Sequence, residues 1–512
     1  MDALRPLVER NLASVAAFLP EIWLGLAAVA VLVLDAALRR SPRRKGILTA
    51  AALLSLAMAA CLHAARPAGG PGWNGMVSTD AFASFFGWLF LAAGAVTVLL
   101  AGQGRDFPPA RVGQFHGLLL TVVLGLFLMA SATDLLMMYL ALELVSVPSY
   151  VLAGFRRADR RASEAALKYV IYGGVASGVM LFGMSYLFGL AGTTSLAELG
   201  PRLAALQAAP GMPLAALRLA LVVAVVFVLA GVGYKIAAAP WHMWCPDVYE
   251  GAPTPFTAFL SVGPKAAGFA MALRLFHTAL TVPDGGALAQ ALGGIPWPAV
   301  VGVLSAVTMT LGNLSALAQT NLKRLLAYSS IAQAGYALMG LAAASARGTQ
   351  AILIQLLVYL VMNLGAFVAV ILVAEATGSE SIDDYRGLSR RHPVAAIAFG
   401  IFLFSLTGLP PFAGFAGKLW LFYAVFERIG GPGGGGYALL ALCGAVNTAI
   451  SLYYYARIVR AMFLDAPSAG ATPVPGRLGY EVLLGAAAAG VLVLGVWWTP
   501  MIDWTARAVM GG

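Results

Sequence analysis

The sequence predicts an all-α polytopic membrane protein with about fourteen transmembrane helices. Three observations predict it. The 512 residues are 60% hydrophobic and only 11% charged, with a mean hydropathy of +0.85, whereas a soluble domain carries about 25% charged residues. Apolar runs of roughly 20 residues, the length that crosses a bilayer, recur from end to end. The alternating segments of about ten residues that mark a membrane barrel are not seen. Inside lipid the backbone must satisfy itself, which leaves the helix as the spanning element.

In order, the runs occupy 16–38, 46–65, 81–101, 113–131, 134–155, 164–190, 217–239, 254–277, 298–318, 324–344, 350–376, 394–427, 437–463 and 479–499. The first is too long for the core of a signal peptide and carries Glu21 and Asp35, so it is expected to remain as a span. The tightest turn falls around Thr133, between the fourth and fifth runs. More than half of the 32 Lys and Arg residues lie in the loops that follow odd-numbered runs, such as RRSPRRK (39–45) and RRADRR (156–161). By the positive-inside rule these loops face the cytoplasm, and both termini are expected on the opposite, periplasmic side. The formal charge of +10 is therefore a topology signal, and no nucleic-acid partner is expected.

Cofactor chemistry finds little foothold. Cys61, Cys245 and Cys443 lie far apart and form no CxxC, which argues against a disulfide framework, a structural zinc site or an iron–sulfur cluster. The five histidines (63, 116, 242, 277, 392) are scattered without ligand-type spacing. No soluble domain is inserted, and nucleotide-binding glycine motifs are absent. No metal and no cofactor is expected on this chain.

The informative residues are the lysines. There are six, and four of them, Lys168, Lys235, Lys265 and Lys418, fall inside apolar runs. An ammonium at mid-bilayer costs about 2.5–3.5 kcal/mol on the insertion scale. Lys235 and Lys265 flank a Pro-, Gly- and Trp-rich segment read as a loop, with the seventh span breaking at Pro240. Lys418 follows a second break, Leu409-Pro410-Pro411, in the twelfth span. The two broken spans lie five apart, an odd offset that inverts orientation, and paired interrupted spans point to a transport path. Snorkelling to the interface is the bland alternative for Lys235; Lys265 lies too deep for it.

Glu143, near the middle of the fifth span, is the candidate partner of Lys235. At about 5 Å their attraction is roughly 3 kcal/mol at an effective dielectric near 20. That is comparable with the opposing desolvation of the lysine, so moving the carboxylate away could release a proton. Glu164 and Lys168 are spaced as a helix ion pair at the start of the sixth span, equally consistent with a structural bridge or with proton intake. His242 could relay protons or simply pack among the tryptophans. Asp247 and Glu250 read as loop residues that fix a turn.

The run from Gly233 to Pro255 (GYKIAAAPWHMWCPDVYEGAPTP) resembles the signature of the antiporter-like membrane subunits of respiratory complex I, the proton-pumping NADH–quinone oxidoreductase. Ser405 to Phe415 (SLTGLPPFAGF) followed by Lys418, Asn321 to Ser330 (NLKRLLAYSS), and the opening Leu19 to Trp23 (LPEIW) extend the resemblance along essentially the whole chain. It implies two inverted five-helix repeats, spans 4–8 and 9–13, within a division at 1–112, 113–277, 298–463 and 464–512. It implies Glu143 and Lys235 as a coupling pair, Lys265 as central relay and Lys418 as terminal proton site. Glu164, Lys168, His242 and Lys323 would be secondary members of the path. Flavin, iron–sulfur clusters and quinone would belong to other subunits, and the partners would be neighbouring membrane-arm subunits and lipid in a bacterial inner membrane. Two rival functions share these features: a subunit of a multisubunit cation/proton antiporter, and a purely structural brace of the membrane arm.

Overall fold

Each apolar run becomes a helix, and a polar cap or a glycine sets most of the boundaries. The computed structural model describes residues 11–509 except 13, 68, 105–106, 209–212, 281–296, 432 and 468–472. The first crossings are α1 (Leu19–Ala37), α2 (Arg44–Ala64), α3 (Ala81–Gln103), α4 (Val112–Ser131), α5 (Leu135–Ala153) and α6 (Arg160–Ala191). Asp80, Asp134 and Asp159 cap α3, α5 and α6 by accepting backbone N–H groups of the first turn. Asp134 also confirms the tight turn at Thr133 as a true boundary. Gly192 ends α6 in the left-handed conformation that glycine alone adopts freely.

An unanticipated helix, α7 (Leu196–Ala208), precedes the seventh crossing. That crossing is broken as expected, but its second part is not a loop. α8 (Leu214–Ile236) stops at Ala237, and the chain resumes as a short helix, α9 (Trp244–Gly251), with Trp244, Cys245, Val248 and Tyr249 buried. The composition suggested a loop because Pro246 lies in the segment; there it occupies the first turn of α9, where the missing N–H is not needed.

The remaining crossings are α10 (Thr254–Arg274, continued by a π-helical turn at Leu275–Ala279), α11 (Trp297–Leu317), α12 (Leu322–Ala342) and α13 (Ala346–Thr377). The twelfth crossing is again two halves, α14 (Pro393–Thr407) and α15 (Ala413–Phe426), and α16 (Gly434–Phe463) and α17 (Leu478–Val496) complete the set. A further unanticipated helix, α18 (Thr499–Arg507), follows. A two-residue antiparallel ribbon, Pro71–Gly72 with Val77–Ser78, sits in the loop before α3.

Among the described residues, thirteen helices are long and apolar enough to cross a membrane, and the two halves α14 and α15 are shorter. The two least apolar crossings, α10 and α12, are also the two most deeply buried, 100% and 94% within their most apolar windows, against 28% for α17. That inversion is what lipid imposes: the outer helices meet hydrocarbon, and polar side chains collect at the centre. The chemistry of the molecule is concentrated there.

Candidate functional site

The two helix breaks set the site. At the end of α8, Ala238 N–H donates to Gly233 O (2.7 Å), the Trp244 indole donates to Tyr234 O (3.1 Å), and Ala239 N–H donates across to Thr308 of α11 (3.0 Å). The freed backbone groups are thus satisfied inside the protein. Lys235 occupies the last turn of α8, the negative end of the helix dipole. Gly233 is required here, because a Cβ would strike the Trp241 ring at 2.3 Å.

Lys235 is 2% exposed, and its Nζ donates to Ser146 Oγ of α5 at 3.1 Å. The expected direct pair with Glu143 is not formed: no ion pair joins the two, and Glu143 Oε1 is buried without a hydrogen-bond partner. Ser146, one turn beyond Glu143 on α5, takes the ammonium instead. Glu143 remains the carboxylate whose charge reaches Lys235. The stem of Lys235 packs on Gly268, where a Cβ would lie 3.3 Å from Lys235 Cγ. Gly268 is one turn past Lys265 on α10, so the two lysines face the same seam.

Lys265 is equally buried, and its Nζ donates to the Ser330 hydroxyl of α12. Tyr249 of α9 hydrogen-bonds that same hydroxyl at 3.3 Å, and its ring lies 5.8 Å from the ammonium. From Ser330 the polar line climbs α12 in steps of three residues, Ser330, Gln333 and Tyr336. Gln333 donates to Leu406 O of α14 (2.9 Å) and accepts from Gln355 of α13 (3.0 Å). Gln355 Oε1 has no partner and lies against Gly417. The next residue is Lys418, 4% exposed, whose Nζ donates to Thr407 O (2.7 Å), the last residue of α14, and stands 4.3 Å from the centre of the Tyr336 ring.

The lysines stand out in the sequence, whereas the side chains that join them do not. Ser146, Tyr249, Ser330, Gln333, Tyr336 and Gln355 were all passed over. The signal for three of them was present as polar residues at i, i+3 and i+6 in an apolar helix. Lys168 forms the expected helix pair with Glu164 and a further pair with Asp247, both at 2.6 Å, and its side chain is 36% exposed. It lies two turns into α6, at the end where the arginine-rich loop begins. Lys323, a secondary member of the implied path, is fully buried; it donates to Ala252 O (2.9 Å) and pairs with Glu380 at 3.0 Å. Asp247 is no mere turn residue, since it links Lys168 of α6 to Arg324 of α12. His242 is buried within the break, its Nδ1 without a partner.

Beside Glu380 a cavity of about 510 Å³ opens at the ends of α6, α9 and α13, lined by Arg156, Arg161, Glu250, Asn321, Glu375 and Glu380 among others. Glu380 of its lining reaches Lys323 in the first turn of α12. Among the described residues, no group of three or more His, Cys, Asp or Glu side chains is placed to hold a metal ion.

The family described as NADH:quinone oxidoreductase/Mrp antiporter matches residues 132–431, a span that contains every member of this line. That family includes both complex I subunits and antiporter subunits. Full-length relatives separate them. The chain is 68% identical to NADH-quinone oxidoreductase subunit N of Anaeromyxobacter sp. (strain Fw109-5), over 99% of this chain and 98% of the relative. This chain belongs to the subunit N family of NADH-quinone oxidoreductase. It is also 46% identical to subunit N 2 of Sorangium cellulosum (strain So ce56), over 99% of both chains. Among solved structures, a chain of respiratory complex I from Thermus thermophilus superposes with a TM-score of 0.75 at 32% identity, covering 95% of this chain and 99% of that one. A chain of the Mrp complex from Dietzia sp. DQ12-45-1b shares the fold, with a TM-score of 0.77 at 21% identity and 97% coverage of both. The protein is therefore a proton-translocating, antiporter-like membrane subunit of complex I, a multi-pass chain that works among other subunits.

Proposed function

We propose that protons cross this subunit along the line Glu143, Lys235, Lys265, Gln333–Gln355 and Lys418. Lys265 is the central relay and Lys418 the terminal site. The observation that carries this reading is the row of three buried ammonium groups, 2%, 3% and 4% exposed, none with a carboxylate of the described residues within ion-pair distance. A structural cation would be paired, because an unpaired charge in a dry interior is among the costliest features a protein can carry. Hydroxyl, carbonyl and aromatic groups hold these lysines while leaving them free to lose and regain a proton.

A proton reset at Glu143 changes the field at Lys235, and Ser146 gives the ammonium a neutral resting place when the carboxylate is neutralised. Protons enter from the cytoplasmic cavity by way of Glu380 and Lys323, two turns below Ser330 on α12. Glu164, Lys168 and Asp247 tie the cytoplasmic ends of α6, α9 and α12 together. The repeat units are spans 4–8 and 9–13, each with its fourth member broken, and both termini face the periplasm of a bacterial inner membrane. Redox groups reside in other subunits, and the neighbours are further antiporter-like and small helical membrane-arm subunits.

Replacing Lys235 or Glu143 by alanine in the assembled complex tests the reading. Protons moved per NADH oxidised should fall; an unchanged yield overturns it. Under the structural-brace alternative, neutralising Lys265 would lower the amount of assembled complex and leave the yield per complex intact. The antiporter alternative would make transport depend on sodium.

A further inference from the structure

We propose that Tyr336 is a positioning residue for Lys418, its ring face serving as the neutral counter-surface that holds the protonated amine at the end of the proton path. The proposal rests on the reading of Lys418 as the terminal proton site.

The geometry is specific. Lys418 Nζ stands 4.3 Å from the ring centroid, well inside the range of about 6 Å at which a cation is attracted by an aromatic face. Lys265 is 5.8 Å from its own tyrosine, Tyr249, and leans on the Ser330 hydroxyl instead. Lys418 has no side-chain hydroxyl. Among the described residues its hydrogen-bond acceptor is the Thr407 carbonyl at the end of α14. Gly408, at φ 91°, lets the chain turn away there, and a Cβ at that position would press on Lys418 Cδ at 2.8 Å. The amine is thus confined between a helix-end carbonyl and a ring.

The surroundings leave the ring without a competitor. α12, α13, α14, α16 and α17 all pack against α15. Among the described residues of these helices, no carboxylate, histidine or second ammonium interacts with Lys418, and Tyr336 is the titratable group beside it. Tyr336 is itself fixed. It is 1% exposed, and its hydroxyl accepts from Thr448 of α16 at 3.2 Å. The hydroxyl therefore anchors the ring from the far side, and the face is what meets the cation. A carboxylate in this place would hold the proton too firmly for a release site. A ring attracts the charged form by a smaller amount that does not itself titrate near neutral pH.

The test uses the assembled complex in inverted membrane vesicles, with protons moved per NADH followed from neutral to alkaline pH. Tyr336→Phe keeps the face, and its profile should match the parent. Tyr336→Leu removes the face, so the protonated amine loses support and the alkaline limb should move down by about one pH unit. A leucine profile that overlays the parent, or a phenylalanine profile shifted as far as leucine, overturns the proposal. If the leucine variant fails to assemble, phenylalanines of increasing fluorination at 336 keep the ring's volume and drain its face of negative charge. The limb should then descend with each fluorine, and a flat series overturns the proposal. Lys418→Ala serves as the control for the path. Full pumping in that variant sinks the path reading and this one with it, whereas lost pumping beside a flat Tyr336 series sinks this one alone.

Discussion

The Ser330 hydroxyl of α12 accepts the Lys265 ammonium of α10 from 65 positions away in the sequence. It joins α10, the eighth crossing, to α12, the tenth. A hydrogen bond to a charged group contributes about 1.5–3 kcal/mol. Ser330→Ala should therefore slow proton transfer through this subunit roughly tenfold or more and lower the proton yield of the complex by this subunit's share. Ser330→Thr, which restores a hydroxyl, should recover most of it. Proton yield per NADH in vesicles checks both, with assembled complex quantified alongside.

The two glutamines are the narrowest part of the line. A Cβ at position 417 would lie 2.3 Å from Gln355 Oε1. That atom is the far end of a flexible side chain, so the fold can accept Gly417→Ala if the amide swings aside. In doing so it gives up its 3.0 Å bond to Gln333. The expected outcome is near-normal assembly, a stability loss of no more than about 1–3 kcal/mol, and a marked fall in proton yield. Gln355→Ala alone should reproduce the transport defect, and adding Gly417→Ala to it should do little more. A double-variant cycle on proton yield measures this directly.

How much of this was legible follows from what each signal depends on. Crossing number, the two breaks and the buried lysines show in the chain because length, proline and charge are local properties. The nature of the first break was misread. Trp244 to Gly251 (WCPDVYEG) looks like a loop by composition, and it becomes a helix only because α6, α10 and α12 bury it. The burial of Lys323, just before the start of the tenth run, was hidden for a similar reason. Depth in a membrane protein depends on which helices surround a residue, and hydropathy along one run does not report it. The partners of the lysines come from other crossings, Ser146 from α5, Ser330 and Tyr336 from α12, and Gln355 from α13. Their pairing is a tertiary fact that no single segment contains.

Glu380 lines the cavity at the ends of α6, α9 and α13 and pairs with Lys323. Its carboxylate lies 3.0 Å from Lys323 Nζ and also accepts from Asn321 Nδ2 at 3.3 Å. Taking the carboxylate from a buried ammonium is expected to cost about 3–5 kcal/mol. Glu380→Ala should therefore lower both the amount of assembled complex and its thermal stability, while Glu380→Asp keeps the charge and most of the stability. A cysteine at Ser379, on the cavity wall, should react with a membrane-impermeant thiol reagent added to inverted vesicles, whose outer face is the cytoplasmic one. Protection of that cysteine in inverted vesicles and labelling from the opposite face would reverse the assigned topology.

Asp80 and Arg274 clamp the other end of the fold. Arg274 donates two bonds to Asp80, at 2.8 and 3.0 Å, and Asp80 also caps α3 through Ala83 N–H at 2.9 Å. Partial burial alone would raise the Asp80 carboxyl, but the charge and hydrogen bonds of Arg274 outweigh it and hold the group below the usual carboxylate range. A carboxyl depressed by folding contributes stability that is fully present above its unfolded value and is lost as pH falls through the folded one. Asp80→Asn should thus lower the unfolding temperature of the detergent-solubilised complex at neutral pH, with a deficit of about 1.5–3 kcal/mol for the lost charged hydrogen bonds. The gap between variant and parent should stay constant down to about pH 4 and close below it, because the parent then protonates the same carboxyl. A gap that closes instead between neutral pH and about pH 5 would assign the stabilisation to a group with a higher pKa, such as a histidine.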